Sequence, residues 1–262
     1  MGKAKPAAVR GHIARKRFGQ NFLVDRHYID RIVAAIDPQR DDNIVEIGPG
    51  LGALTGPLLE HVRRLAVIEI DRDLAARLAR EFSPDRLLLF NADALEFDFA
   101  TLGARLRVIG NLPYNISSPL LFRLSRCDNL HDATVMLQRE VVQRMAAAPA
   151  TREYGRLTVM LQARFRIERL FSVPPGAFRP PPKVESALAR LLPLGAARPH
   201  IVDENLFANI VAAAFEQRRK TLRNALKGWV SPAGLERAGL APGARGETLA
   251  VGDFVHLANL LA

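Results

Sequence analysis

From residue 43 to residue 147 short apolar runs alternate with segments of helical periodicity, and that alternation restricts the chain to few architectures. Residues 43–47, 65–70, 86–90, 106–109 and 133–137 read as strands, and residues 53–62, 74–82, 118–124 and 140–147 as helices. Strands separated by helical crossovers lie parallel in one sheet, because a helix is what returns the chain to the same edge. The expected class is α/β, a mostly parallel sheet wrapped by helices. Ahead of it, Asp25 is placed to cap a helix whose apolar face is Ile29, Ile32, Val33 and Ile36.

Beyond this block, residues 165–194 read as extended, broken by Pro174-Pro175 and Pro180-Pro181-Pro182, and residues 195–199 read as a linker. Helical spacing then returns with Leu206, Phe207, Ile210, Val211, Ala214 and Phe215. Three parts are expected: a basic tail over 1–20, an α/β domain over 21–195, and a small all-helical domain over 196–262. With 48% hydrophobic residues the chain can bury a substantial core. No apolar run approaches the roughly 18 residues that span a bilayer, so no membrane partner is expected. The basic N-terminus has no apolar stretch of the secretory kind. Cys127 is the single cysteine, which excludes an internal disulfide and suits a reducing, cytoplasmic setting. The histidines are scattered, away from cysteine or carboxylate at ligand spacing, so no metal is expected.

Charge says more. The formal net charge is +10, which favours a polyanionic partner. Lys3, Lys5, Arg10, Arg15, Lys16 and Arg17 fall in a stretch without acids. So do Arg218, Arg219, Lys220, Arg223 and Lys227. If that second stretch is helical, Arg219, Arg223 and Lys227 lie four apart on one face. Solvated surface is the plain alternative for either cluster, but two acid-free clusters point to nucleic acid.

Candidate site residues fall where strands end, the position at which open α/β sheets bind ligands. The first strand runs into V-E-I-G-P-G-L-G-A-L-T, residues 45–55, whose glycines permit a tight turn and close approach of a ligand. Gly48-x-Gly50-x-x-Ala53 also satisfies a dinucleotide fingerprint, and Glu69, roughly 20 residues further on, suits the ribose of such a cofactor. Asp93 follows the third strand, where it can accept from an adenine amine or simply cap the next turn. Gly48, Glu69 and Asp93 at three successive strand ends match the methionine, ribose and adenine parts of S-adenosyl-L-methionine. The fourth strand ends in G-N-L-P-Y-N-I-S-S, residues 110–118. Methylating an adenine amine requires acceptors for its hydrogens as the nitrogen becomes tetrahedral. The Asn111 side chain and the Leu112 carbonyl can be those acceptors, with Pro113 holding Leu112 extended. Tyr114 offers a face on which a base can stack.

The N-L-P-Y sequence has the [DNS]-[LIP]-P-[YF] form of amino-methyltransferases, and N-L-P-Y-N-I-S resembles the rRNA adenine dimethyltransferases. F-G-Q-N-F-L-V-D (18–25), G-P-G-L-G, F-R-P-P-P-K-V-E-S-A (178–187) and F-E-Q-R-R-K-T-L-R-N-A-L (215–226) agree with the same family, the last being closest to its bacterial 16S branch. The resemblance implies a Rossmann-like methyltransferase sheet with a helical rRNA-binding domain. It implies S-adenosyl-L-methionine-dependent dimethylation of two adjacent adenines near the 3′ end of 16S rRNA in an immature small ribosomal subunit, by a monomer. It further implies that Asn21 and Leu23 line the cofactor site and that Phe178 faces Tyr114 across the target base. From the residues alone, core packing is the alternative reading of Phe178. Rival functions are a 23S rRNA adenine methylase, a non-catalytic rRNA-binding assembly factor, and a NAD-dependent oxidoreductase.

Overall fold

The computed structural model describes residues 8–9, 12–13, 20–113, 116–217 and 219–262. The bases of the tail, Tyr114 and Arg218 therefore lie outside the described residues. Seven strands form one sheet: β1 (Asn43–Ile47), β2 (Leu65–Ile68), β3 (Leu87–Phe90), β4 (Leu106–Asn111), β5 (Leu130–Gln138), β6 (Phe165–Val173) and β7 (Ser186–Pro193). Their order is β3-β2-β1-β4-β5-β7-β6. The block from β3 to β5 is parallel, with Ile44 opposite Leu65 and Val45 opposite Val108, while β7 pairs antiparallel with β5, Leu188 opposite Met136.

Helices α1 (Arg26–Ile36), α2 (Thr55–His61), α3 (Arg72–Glu81) and α4 (Ser117–Leu124) follow the expected alternation. The Asp25 carboxylate accepts the His27 N–H at 3.0 Å, capping α1, and Ile29, Ile32, Val33 and Ile36 are its buried face. They join Ile44, Leu58, Leu65 and Val67 in one apolar core. Apolar faces at helical spacing must meet a sheet whose strands are apolar on both sides.

The chain divides into two compact units, Met1–Val142 with Glu168–Leu192, and Gln143–Ile167 with Pro193–Ala262. A single cut at residue 195 is thus too simple. Residues 143–167 carry the end of α5 (Arg139–Met145) and all of α6 (Arg156–Gln162), and belong to the helical unit. Buried Val159 and Tyr154 pack in one cluster with Phe207, Ile210 and Phe254, and the Tyr154 hydroxyl donates to the Leu249 carbonyl at 2.8 Å. These are long-range pairings that local periodicity cannot register.

The helical unit also contains α7 (Glu204–Glu216), α8 (Leu222–Ala225), α9 (Pro232–Arg237) and α10 (Val251–Leu261). The basic stretch departs from expectation here. It is not one helix: α7 stops at Glu216 and α8 is a single turn. The Leu222 and Arg223 N–H groups donate to the carbonyls of Ala244 and Pro242, at 2.7 and 3.0 Å, instead of to a preceding helical turn. Arg219, Arg223 and Lys227 accordingly share no helix face.

Candidate active site

Neighbouring parallel strands run the same way, so the carboxyl ends of β1 to β4 lie together at one edge of the sheet. The segments that follow them, with the stretch before α1, enclose a cavity of about 330 Å³. That is the size of a small-molecule site. Asn21, Leu23, Gly48, Glu69, Asp93, Asn111, Leu112 and Pro113 all line it.

Two carboxyl groups hold the glycine loop between β1 and α2. Gly50 has φ +59°, and a Cβ there would stand 3.1 Å from the Phe22 ring, so both conformation and space favour glycine. Its N–H donates to Glu69 Oε2 at 3.1 Å, while Asp71 N–H donates to Oε1 at 2.9 Å. A carboxylate has about four acceptor positions, which leaves capacity for ribose hydroxyls. Nearby, the Thr55 hydroxyl at the start of α2 donates to Glu46 Oε2 at 2.6 Å, clipping β1 to α2 across the loop. Glu46 also lines the cavity, and the sequence reading passed over it. Its only sequence signal is a carboxylate one residue before the end of a strand that is otherwise apolar. Burial pushes the Glu46 carboxyl up to about 7, opposed by the Thr55 hydrogen bond and reinforced by the charge of Glu69. Burial raises Glu69 too, against the N–H bonds from Asp71 and Gly50.

Asp93 serves as a local cap, its Oδ1 accepting the Leu95 N–H at 2.8 Å. Its Oδ2 has no partner among the described residues, so the cap orients the carboxylate without exhausting it. At the end of β4, Asn111 Nδ2 donates to the Asn21 carbonyl at 3.0 Å. A carbonyl can only accept, so this bond sets which way the amide points and leaves Oδ1 as an acceptor. No described residue donates to Asn111 Oδ1 or to the Leu112 carbonyl oxygen. The peptide of Leu112 is held instead through its N–H, which donates to the Met136 carbonyl at 3.1 Å. The site thus presents two unspent acceptors side by side in sequence, each fixed by a bond on its other face.

Among the described residues the cavity is lined by Glu46, Glu69 and Asp93 and by no lysine, arginine or histidine, in a chain of net charge +10. This separates the cofactors the sequence left open. A dinucleotide would bring its phosphates against three carboxyl groups with no side-chain cation to neutralise them. A sulfonium cofactor brings positive charge, which those groups attract. The donor set fits S-adenosyl-L-methionine.

Phe178 departs from expectation. Its ring is 1% exposed, lies in the core with Leu23 and Ala177, and does not line the cavity. The two-residue strand Phe178–Arg179 pairs antiparallel with Phe22–Leu23, Phe178 opposite Leu23. It therefore braces a strand that borders the cavity. Arg219, Lys220, Arg223 and Lys227 are exposed and form no ion pair among the described residues.

A mixed seven-stranded sheet of this order, with a glycine loop, an acid after the second strand and an N-L-P acceptor segment after the fourth, defines a Rossmann-like S-adenosylmethionine-dependent methyltransferase. Within that class, the chain belongs to the ribosomal RNA adenine dimethylase family, which matches residues 11–262. It is 58% identical to ribosomal RNA small subunit methyltransferase A of Aromatoleum aromaticum, over 96% of this chain and 95% of that one. It is 56% identical to the protein of the same name from Thiobacillus denitrificans, over 96% and 99%. Among solved structures it resembles a dimethyladenosine transferase from Plasmodium falciparum, with TM-score 0.77 and 26% identity over 90% of this chain and 95% of that one. It also resembles the 23S rRNA methyltransferase ErmE, with TM-score 0.71 and 27% identity over 92% and 99%. No helix among the described residues is long and apolar enough to cross a membrane, and none of their His, Cys, Asp and Glu side chains cluster as a metal site.

Proposed function

We propose that this protein dimethylates the N6 amino groups of two adjacent adenines near the 3′ end of 16S rRNA. It uses S-adenosyl-L-methionine and acts as a monomer, in the cytoplasm, on an immature small ribosomal subunit. The observation that supports this reading is the acceptor pair, Asn111 Oδ1 and the Leu112 carbonyl, on two residues that line a cavity together with carboxyl groups. The small-subunit names of relatives at 56% and 58% identity favour 16S over 23S rRNA.

The chain's residues position the reaction and need not supply a strong base. S-adenosyl-L-methionine, when bound, carries an electrophilic methyl group on a sulfonium that leaves as a neutral thioether. Glu69 would accept from its ribose hydroxyls and Asp93 Oδ2 from its adenine amine. In the first transfer Asn111 Oδ1 and the Leu112 carbonyl would accept the two hydrogens of the target amine, drawing its lone pair out of the ring and toward the methyl. The methylated nitrogen then releases one proton to water. In the second transfer its single remaining hydrogen is held by one of the pair before it too leaves as a proton. As the nitrogen gains positive charge these fixed dipoles are already aligned, so little reorganisation is required. Tyr114, outside the described residues, is assigned the stacking face by its place in N-L-P-Y. A stacked base inside folded RNA cannot reach this site, so the target must be flipped or unpaired.

The test is methyl transfer from labelled cofactor to undermethylated small subunits, with the modified position mapped by mass spectrometry. Asn111→Ala should lower the single-turnover rate by about 10²–10³-fold, the value typical of one preorganised acceptor or donor. Its affinity for RNA should be unchanged. Near-normal turnover would remove Asn111 from the chemistry, and methyl groups mapped to 23S rRNA would replace the proposed substrate.

A further inference from the structure

Trp229 is the sole tryptophan of the chain, and it is 43% exposed. No other Phe, Tyr or Trp among the described residues is exposed. Its neighbour Val230 packs against the core of the helical unit, whereas Trp229 belongs to no apolar cluster and makes no ring contact with a described residue. An indole exposed to this extent forfeits part of the largest burial available to any side chain, and a partner would supply it. The backbone is shaped to place it there. Lys227-Gly228-Trp229 leaves α8 through Gly228 at φ +96°, a conformation that side-chain-bearing residues rarely adopt. The Trp229 N–H is anchored to the Leu226 carbonyl at 2.9 Å.

The surroundings define what that partner is. Arg219, Lys220, Arg223 and Lys227 are exposed along the same short stretch and pair with no acid. Residues 217–229 contain no Asp or Glu, and neither does the 241–244 loop to which Leu222 and Arg223 bond. Cations that follow a phosphate backbone, beside one aromatic face that can take a base, form the arrangement by which proteins hold unpaired nucleotides. We infer that Trp229 is a stacking platform for an unpaired nucleobase, and that it forms with Arg223 and Lys227 an RNA contact separate from the methylation cavity. This rests on the reading of the chain as an rRNA-modifying enzyme and assigns to its helical unit a contact with single-stranded, not fully paired, RNA.

A single tryptophan makes its own reporter. The full chain is titrated with a single-stranded oligoadenylate and, separately, with heparin, a polyanion without bases, while indole emission and bound fraction are followed together. Oligoadenylate should quench the emission as it binds, and heparin should compete for the cations without quenching. Trp229→Ala should weaken oligoadenylate binding about tenfold, the scale of one lost base–aromatic stack. The slope of affinity against salt should stay the same, since no cation is removed. Trp229→Phe should retain most of the affinity. Oligoadenylate binding without quenching, equal quenching by heparin, or unaltered affinity of Trp229→Ala would each overturn the platform. Those results would leave methyl transfer to rRNA untouched. Failure of methyl transfer, by contrast, would strike the enzymatic reading itself.

Discussion

Glu46 is 2% exposed, its carboxyl meeting the Thr55 hydroxyl on α2 and the field of Glu69 just after β2. Burial raises it from 4.5 to about 7. The native state therefore keeps a proton over a range in which the unfolded chain has lost it. Raising the pH from about 4.5 to about 7 should cost about 3 kcal/mol of folding stability, with no further loss from this group above that range. Glu69 is shifted in the same direction and adds to the trend. Glu46→Gln can still accept from Thr55 and has no charge to bury. Urea denaturation between about pH 5 and about pH 8 should find its stability flatter with pH than that of the parent chain and higher at the alkaline end. A pH profile identical to the parent would assign the dependence elsewhere. Phe178 gives a second test at this scale. A ring 1% exposed in the core should lose about 3–5 kcal/mol of stability on Phe178→Ala. A variant of parental stability that fails only in methylation would restore Phe178 to the target base.

Among the elements, β4 connects stability most directly to chemistry. At its start Arg107 is buried, its guanidinium reaching Asp132 through Nε and Nη2, Asp42 through Nη1, and the Ile36 carbonyl through Nη2 at 2.7 Å. That satisfies a charge which would otherwise be costly to bury, and it ties the strand to the end of α1. At its far end Gly110 passes so close to β1 that a Cβ would stand 2.5 Å from the Ile47 carbonyl oxygen. Gly110→Ala must move backbone, because the nearest obstacle is the Ile47 backbone carbonyl and not the end of a flexible side chain. The expected cost is about 1–3 kcal/mol, typical of overpacking. The shift falls on the residue before Asn111, so methylation should drop further than the loss of folded protein accounts for. Denaturation midpoint and single-turnover rate measured on one preparation check both, and a variant active in proportion to its folded fraction would separate strand spacing from catalysis.

At the scale of the whole molecule, the net charge of the chain and the charge of the described cavity lining are opposite in sign. The chain carries +10, yet among the described residues its cavity is lined by carboxyl groups and no cation. Polyanionic RNA is drawn to the protein by the surface charge, and a cationic cofactor is drawn to the cavity by the opposite field. Phosphate contacts release counterions, so RNA affinity should fall steeply with salt. Replacing Arg219, Arg223 and Lys227 together by Ala should reduce the log–log slope by about 2 to 3, given roughly 0.7–0.9 per lost contact. Cofactor affinity, measured calorimetrically with S-adenosylhomocysteine, should hold. An unchanged slope would return the three side chains to solvated surface.

The alternation of residues 43–147 determined the parallel sheet, and the sheet determined where the strand ends meet, so Gly48, Glu69, Asp93 and Asn111 could be named before any coordinate. That the four residues meet at one cavity follows from side-chain periodicity and strand direction, which are local properties of the chain. Other features depended on residues distant in sequence. Residues 143–167 joined the helical unit because Val159 and Tyr154 found Phe207 and Phe254. The basic stretch broke after Glu216 because two of its N–H groups bonded to carbonyls at 242 and 244. Arg107 in an apolar strand gives no sign of the two aspartates that enclose it, and Phe178 reads as clamp or core alike until its neighbours are known. Glu46 took on its shifted proton affinity only once Thr55, Glu69 and the closed sheet had removed its water. Burial and long-range hydrogen bonds are properties of assembled neighbours, and only the tertiary structure brings those neighbours together.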